Sequence, residues 1–196
     1  PEDATRLNPS ASDILIFALF AASLHFILGS GGLVSFGHAA FFGGGAYAAA
    51  LLVFHTDTPM ELAFLFAPLA AGLLALGIGW FCIRLSGVYF AMLTLAFSQL
   101  VWSVAFQWRG LTRGDDGLIN IWPAPWLNGP VTYYYFTLIL AVGGILVLRH
   151  IIHAPFGYAL RAGRDSPRQA EAMGIDVKRV QLVAFAIAGV MAGLAG

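Results

Sequence analysis

Charge is scarce in this chain of 196 residues. Only 10% of the residues are charged, against about 25% in an average soluble domain, while 59% are hydrophobic and the mean hydropathy is +0.81. Ten basic and ten acidic residues cancel, so net charge indicates neither a nucleic acid partner nor an acidic substrate. This composition excludes an ordinary soluble domain and predicts an integral membrane protein.

Cysteine and the motifs of catalysis are also nearly absent. The single cysteine, Cys82, excludes a disulfide framework and a multi-cysteine metal site. The sequence contains no Gly-x-x-x-x-Gly-Lys-Ser/Thr phosphate loop, no His-Glu-x-x-His and no Gly-x-Ser-x-Gly. Ionisable groups well inside the apolar runs reduce to His25 and His38, thirteen residues apart and poorly spaced for a metal. We therefore predict no catalytic residue, no metal and no cofactor bound by this chain.

Long apolar runs are what the sequence does have. A membrane-spanning helix needs about 20 mostly apolar residues, and six runs qualify, at 12–28, 36–54, 61–83, 88–106, 132–152 and 180–196. The sequence predicts an all-α bundle of about six spans, forming one transmembrane domain over residues 1–196 that is a fragment of a longer chain. Glycines separate the first two runs, which predicts either a surface turn or a discontinuous span near Gly31 to Gly37.

Basic residues predict how the chain is oriented. Six of the ten lie between residues 149 and 179, and short cytoplasmic loops carry the excess of Lys and Arg. Loop 153–179 is therefore predicted to be cytoplasmic, together with Arg84. Residues 55–61 and the long loop 107–130 then lie outside, where Trp108, Trp122 and Trp126 suit the interfacial aromatic belt.

The cytoplasmic loop contains a predicted short helix. Ser166 resembles an N-cap, Pro167 suits the first helical position, and Gly174 is a typical C-terminal stop, so residues 167–173 are predicted to be helical. From these residues alone, the helix is either a solvated connector or a docking element. Small residues at Gly189 and Gly193, and at Gly72 and Gly77, predict close contacts between spans.

Polar residues inside the apolar runs are candidates for a substrate path. The stretch "GGLVSFGHAAFFGGGAY", residues 31–47, combines six glycines with a histidine, and a second stretch, "VYFAMLTLAFSQ", is predicted to face it. Polar groups within spans are costly and often mark such a path. The alternative is that several of them only bridge helices. The candidate path residues are Ser35, Gly37, His38, Tyr47, Tyr89, Thr94 and Gln99.

Three stretches resemble the permease subunits of ABC importers for branched-chain amino acids. They are "GGLVSFGHAAFFGGGAYAAALL" (31–52), "RLSGVYFAMLTLAFSQLVW" with the following "LTRGDDGL" (84–118), and residues 154–196, beginning "APFGYALRAGRDSPRQAEAMGIDVKR". Importers of urea, short amides and aromatic acids share this family, so the resemblance leaves the solute open. Thr112-Arg113-Gly114 departs from the Thr-Gly-Gly turn that many relatives carry, which leaves contact with a binding protein open.

The resemblance implies partners and a role for the short helix. Such a permease works in a bacterial plasma (inner) membrane with a second permease chain, two cytoplasmic ATPases that use ATP, and an external solute-binding protein. Its substrate is a small molecule, and nucleic acid is not a partner. The resemblance also implies that the short helix docks on an ATPase. The implied coupling residues are Arg161, Arg164, Asp165, Glu171, Ala172 and Gly174.

Two other classes of function remain as alternatives. An ion-coupled secondary transporter also has glycine-broken spans at mid-membrane, but the scarcity of acids inside the runs argues against proton or sodium coupling. A membrane enzyme that uses His38 is a weaker alternative, because no partner for catalysis accompanies that histidine. Neither alternative accounts for the resemblance of the cytoplasmic loop.

Overall fold

The computed structural model describes residues 9–56, 60–108, 112–114 and 129–196. Within these residues every regular element is a helix and none is a strand, which confirms the predicted all-α class. Six helices are long and apolar enough to cross a membrane, also as predicted. The elements are α1 (Pro9–His25), a π-helical turn (Phe26–Ser30), α2 (His38–Thr56), α3 (Met60–Cys82), α4 (Val88–Gln107), α5 (Pro130–His153), α6 (Pro155–Asp165), α7 (Pro167–Ala172) and α8 (Val177–Ala195).

Helices α3 and α8 form the closest helix pair of the bundle. They are antiparallel, because Gly189 packs against Ala75 while Gly193 packs against Ala71. Side chains larger than these would hold the two backbones apart, and close approach stabilises helix pairs in lipid, where hydrophobicity does not. The prediction of small-residue contacts is confirmed for this pair. It is wrong for Gly77, whose missing side chain faces no neighbour within 4 Å.

An aromatic core joins α8 to α2 and α4. Phe185 on α8 makes edge-to-face contacts with Phe41 on α2 and Phe90 on α4, with ring centroids 5.2 Å and 5.9 Å apart. All three rings are buried, and Phe26 and Ile27 of the π-helical turn belong to the same cluster. Edge-to-face pairs add roughly 0.5–1.5 kcal/mol each beyond the area they bury. The core therefore fixes α2, α4 and the end of α1 around α8.

Large apolar side chains also cover the outside of the bundle. Leu73 and Ile139 are each 70% exposed, and Leu65 is 64% exposed. In water such a surface would be unfavourable, whereas in lipid it is the expected outer face of a spanning helix. The outer surface thus supports the assignment to a membrane independently of helix length.

The predicted external loops fall largely outside the described residues. This applies to residues 57–59 and to most of 107–130, including Trp122 and Trp126. Trp108, the C-cap of α4, is exposed, and Thr112 is buried against the same end of α4. The structure therefore describes the predicted cytoplasmic side of the bundle far more fully than the opposite side.

Candidate functional site

The glycine-rich stretch forms a break between two helices. The π-helical turn ends at Ser30, residues 32–37 are not helical, and α2 begins at His38. Gly32 adopts a left-handed backbone with φ +66°, which glycine adopts at no steric cost. The segment near Gly31 to Gly37 separates two spans, because Ala11–Ser30 and His38–His55 each qualify as a span. Of the two predicted alternatives, the discontinuous span is therefore wrong, and the segment is a turn between helices.

His38 places the start of α2 beside the last turn of α1. Its Nε2 lies 2.8 Å from the hydroxyl oxygen of Ser23, seven residues before the end of the first span at Ser30. Seven helical residues correspond to about 10 Å along the helix axis. The chain therefore turns back along α1 after the first span ends.

His38 is enclosed rather than open to solvent. It is 2% exposed, and its ring contacts Phe20 and Phe41 at centroid distances of 5.2 Å and 5.7 Å. The Ser23 hydroxyl also donates to the Phe20 carbonyl at 2.7 Å, so the Ser23 oxygen is left to accept from the histidine. In this arrangement His38 joins the start of α2 to the last turn of α1.

Thr94 holds the break from the other side. Its hydroxyl donates to the Ala91 carbonyl at 2.8 Å and accepts the backbone N–H of Phe36 at 3.2 Å. A side chain at Gly37 would collide with the backbone carbonyl of Thr94. Glycine at this position therefore lets the two backbones touch, and the one threonine hydroxyl satisfies a backbone donor freed by the break.

The structure brings together four of the seven predicted path residues. Ser35, Gly37, His38 and Thr94 are all buried around the break. Tyr47 lies elsewhere, on a largely apolar groove of about 500 Å³ between α2 and α4. The remaining two, Tyr89 and Gln99, are exposed on α4. For all seven residues, a part in a substrate path remains a prediction.

The loop between α5 and α8 contains two helices, not one. The predicted short helix is α7, which ends one residue earlier than expected, at Ala172. Gly174, with φ +84°, closes it in a Schellman motif, in which the N–H groups of Gly174 and Ile175 bind the carbonyls of Glu171 and Ala170. Ser166 is the N-cap residue and Pro167 the first helical residue, as predicted, although the Ser166 hydroxyl makes no capping bond. Helix α6 was not predicted.

Two of the predicted coupling residues bind backbone carbonyls at helix ends. Arg161 donates to the carbonyl of Ile152 at 2.6 Å, in the last turn of α5. Arg164 donates to the carbonyl of Gly29 in the π-helical turn and pairs with Asp165 at 2.8 Å. The last carbonyls of a helix have no partner within it, and a cation there also interacts favourably with the helix dipole. These arginines tie α6 to the ends of α5 and α1.

The other predicted coupling residues form an exposed surface on α7 and its flanks. Asp165, Glu171, Ala172 and Gly174 are all exposed, and the neighbouring Met173 is 70% exposed. Beneath them, Ala170 of α7 and Leu160 of α6 are buried at 1% exposure. The pair of helices therefore has a fixed inner face and a free outer face, which we call the α7 surface.

Sequence reasoning missed the groups that anchor these side chains. Ser23, which binds His38, is a lone hydroxyl in an apolar run, and that polarity was the available clue. The carbonyls of Gly29 and Ile152 are backbone atoms, so residue identity gives no indication of them. Among the described residues no three His, Cys, Asp or Glu side chains come close enough to hold a metal ion.

Six apolar helices, a break within the bundle and a pair of surface helices define a multi-pass helical membrane protein. A family model described as the branched-chain amino acid transport system permease component matches residues 8–196. The chain therefore belongs to this family.

Individual relatives agree with the family match. The chain is 26% identical to the high-affinity branched-chain amino acid transport system permease protein LivM of Escherichia coli (strain K12), over 93% of this chain and 49% of LivM. It is 39% identical to a probable branched-chain amino acid permease, LivH, of Methanocaldococcus jannaschii, over 31% of this chain and 19% of that protein. It is 38% identical to the autoinducer 2 import permease LsrC of Photorhabdus laumondii, over 36% of this chain and 20% of LsrC.

The chain spans about half the length of the LivM proteins that it matches. No solved structure matches it significantly.

Proposed function

We propose that this chain is the transmembrane permease subunit of an ABC importer in the plasma (inner) membrane of a bacterium. In this proposal it carries branched-chain amino acids or related small polar solutes, delivered by an external binding protein. A second permease chain completes the pathway, and two cytoplasmic ATPases supply the energy. Membership of the family and the roles that the names of LivM and LivH state support the proposal.

One observation supports the mechanistic part of the proposal: a series of contacts leads from α7 through α6 to the break. Gly163 of α6 packs against Val177 at the start of α8, and Arg164 binds the Gly29 carbonyl at the end of α1. Three residues beyond Gly29, the non-helical segment 32–37 begins. A rigid-body motion of an ATPase that grips α7 would therefore reach the break through α6.

The break supplies polar atoms for a solute. The hydroxyl oxygen of Ser35 and Nδ1 of His38 are buried, and neither has a hydrogen-bond partner within the described part of the chain. Buried polar groups are ordinarily hydrogen-bonded, so these atoms are available to water or a polar solute when segment 32–37 moves away from Thr94. The permease needs only weak binding here, because the binding protein provides the affinity.

The coupling proposal is tested with Glu171→Arg on the α7 surface. Arg164, although a predicted coupling residue, is unsuitable because its substitution would also release α6 from α1. The variant is co-expressed with the ATPases and binding protein of its transport system, and co-purification of the ATPases is measured together with ATP-dependent uptake into proteoliposomes. We expect both to fall by at least tenfold, since reversing one of a few interface charges leaves an unpaired charge.

Asp13→Arg is the matched control. It makes the same change of charge on an exposed residue of α1, at the opposite end of the bundle. We expect it to keep the ATPases bound. Normal uptake by Glu171→Arg would refute coupling through α7. Uptake that persists without ATPases and follows an imposed ion gradient would instead favour the secondary transporter.

The solute is tested by competition. Proteoliposomes with the wild-type complex take up labelled leucine, isoleucine and valine in the presence of unlabelled urea, short amides or aromatic acids. We expect the three branched-chain amino acids to compete with one another at least tenfold more strongly than the other solutes do. Stronger competition by urea, amides or aromatic acids would keep the permease assignment and change the substrate.

A further inference from the structure

A second groove lies away from the break and from the α7 surface. It has a volume of about 270 Å³ and is formed where α3 ends and α8 begins. Its inner wall is apolar and includes Ile83 and Leu182, while its rim carries three cations, Arg84, Lys178 and Arg179. The functions proposed above use none of these residues.

The rim has more positive charge than the chain neutralises. Arg179 forms an ion pair with Asp176 at 2.8 Å, and the same carboxylate caps α8 by accepting the N–H of Arg179. Arg84 instead lies over the ring of Trp80, 5.4 Å from its centroid. No carboxylate of the described residues comes within 4.0 Å of the charged groups of Arg84 or Lys178. Two positive charges therefore face the groove without an acidic partner from the described chain.

The surroundings of the groove are those of a membrane interface. The third span ends at Cys82, and Trp80 and Phe81, in its last turn, are 59% and 58% exposed. Tryptophan near the end of a span favours the headgroup level, where one side of the ring is apolar and the other is wet. The groove therefore passes from cations at its rim to apolar side chains deeper in the membrane.

We propose that this groove binds an anionic phospholipid. The phosphate of the headgroup lies between Arg84 and Lys178, and the first part of an acyl chain lies along Trp80 and Leu182. Basic pockets between spans attract anionic headgroups in this way. A free phosphate ion would use the rim and leave the apolar wall and the exposed Trp80 without a role. The lipid would join the end of α3 to the start of α8.

The proposal is tested by quenching of tryptophan fluorescence with brominated lipid. The complete chain, purified with its partner subunits in detergent, is titrated with dibrominated phosphatidylglycerol or with dibrominated phosphatidylcholine. Bromine quenches only a nearby indole, so Trp80→Phe identifies the contribution of Trp80. We expect phosphatidylglycerol to quench this contribution at a concentration at least tenfold lower than phosphatidylcholine.

Neutralising the rim should remove that preference. A cation near an anionic lipid surface contributes about fivefold to binding, so Arg84→Gln with Lys178→Gln should weaken phosphatidylglycerol binding by about 25-fold. The matched control is Arg149→Gln with Arg113→Gln, which removes the same charge from exposed residues that lie off α7 and do not line the groove. We expect this control to keep the preference.

Four results would overturn the proposal. Equal quenching by the two lipids, measured on the unaltered protein, would show that the groove does not select an anionic lipid. Retention of the preference in the rim variant would place the lipid elsewhere. Displacement of brominated phosphatidylglycerol by millimolar inorganic phosphate would assign the rim to a free anion. A preference present in the isolated chain but lost when the ATPases bind would assign the rim to a protein contact.

Discussion

Replacing Gly45 by alanine tests a close backbone contact between α2 and α8. A Cβ atom at Gly45 would lie 2.6 Å from the Cα atom of Gly193 and 2.8 Å from its carbonyl carbon, and still closer to its carbonyl oxygen. All of these are backbone atoms, so no side chain can rotate away to make room. The two helices would have to separate, and Gly193 would then lose part of its packing against Ala71 of α3 as well.

The expected cost comes from comparison with Gly43 in the same helix. A Cβ atom at Gly43 meets nothing within 4 Å. Alanine gains up to about 1 kcal/mol over glycine in a helix, and both variants share this gain. The difference in the free energy of unfolding between Gly45→Ala and Gly43→Ala is therefore the steric cost alone, about 1–3 kcal/mol for overpacking. At about 2 kcal/mol, the difference in Tm is about 4–8 °C for a chain of this size.

The assay is thermal unfolding of the two purified variants in one detergent, scanned at one rate so that irreversible unfolding affects both equally. We expect Gly43→Ala to melt at or slightly above the wild-type temperature and Gly45→Ala to melt below it. Equal Tm values for the two variants would mean that α2 and α8 can separate at no cost. In that case the reasoning from close backbone contact would be refuted for this pair.

Three further predictions concern the break and the loop between α5 and α8. His38→Ala should lower the free energy of unfolding by about 1–3 kcal/mol, because it removes the bond to Ser23 and leaves a cavity. An unchanged Tm together with unchanged uptake would show that His38 contributes neither to stability nor to the substrate path. Thr94→Val should cost about 1–3 kcal/mol by stranding a backbone N–H group at the break, whereas Thr94→Ser should recover most of the loss in the same melting assay. Cys82 is fully buried and should not react with an impermeant maleimide in the folded protein, so any labelling of Met173→Cys reports on position 173. Because Met173 is exposed, we expect Met173→Cys to be labelled in inside-out vesicles alone. Labelling in right-side-out cells would reverse the predicted orientation.

The sequence was sufficient for the spans because spanning depends mainly on the length and apolarity of a run. It also located the break, since several glycines and a histidine rarely share an apolar segment. It did not reveal α6, because residues 155–165 are polar on one face and belong to a charged loop. That loop contains too few apolar residues to resemble a span. Helix α6 is amphipathic, with Leu160 buried and Tyr158 exposed, and a period of 3.6 in its apolar residues was the available signal.

The coupling residues show a different limit of sequence reasoning. The family resemblance assigned Arg161 and Arg164 to an ATPase contact, and in the structure both donate to backbone carbonyls at the ends of spans. A carbonyl has no residue-specific pattern, so only the packing of α6 against α1 and α5 shows which arginines are engaged. Glu171, by contrast, is exposed, as expected for a residue that contacts a partner.

The π-helical turn at Phe26–Ser30 determines the direction, around the axis of the first helix, in which segment 32–37 leaves that helix. A turn with i to i+5 bonding holds one residue more than an α-helical turn, and one residue corresponds to about 100° around the axis. Deleting a single residue from this turn would leave the length and hydropathy of the first span almost unchanged. It would nevertheless rotate the Gly29 carbonyl away from Arg164 and direct segment 32–37 toward a different helix. Two chains with the same hydropathy profile can therefore differ in which face of the break meets α4, and the count of residues between Phe26 and Ser30 decides it.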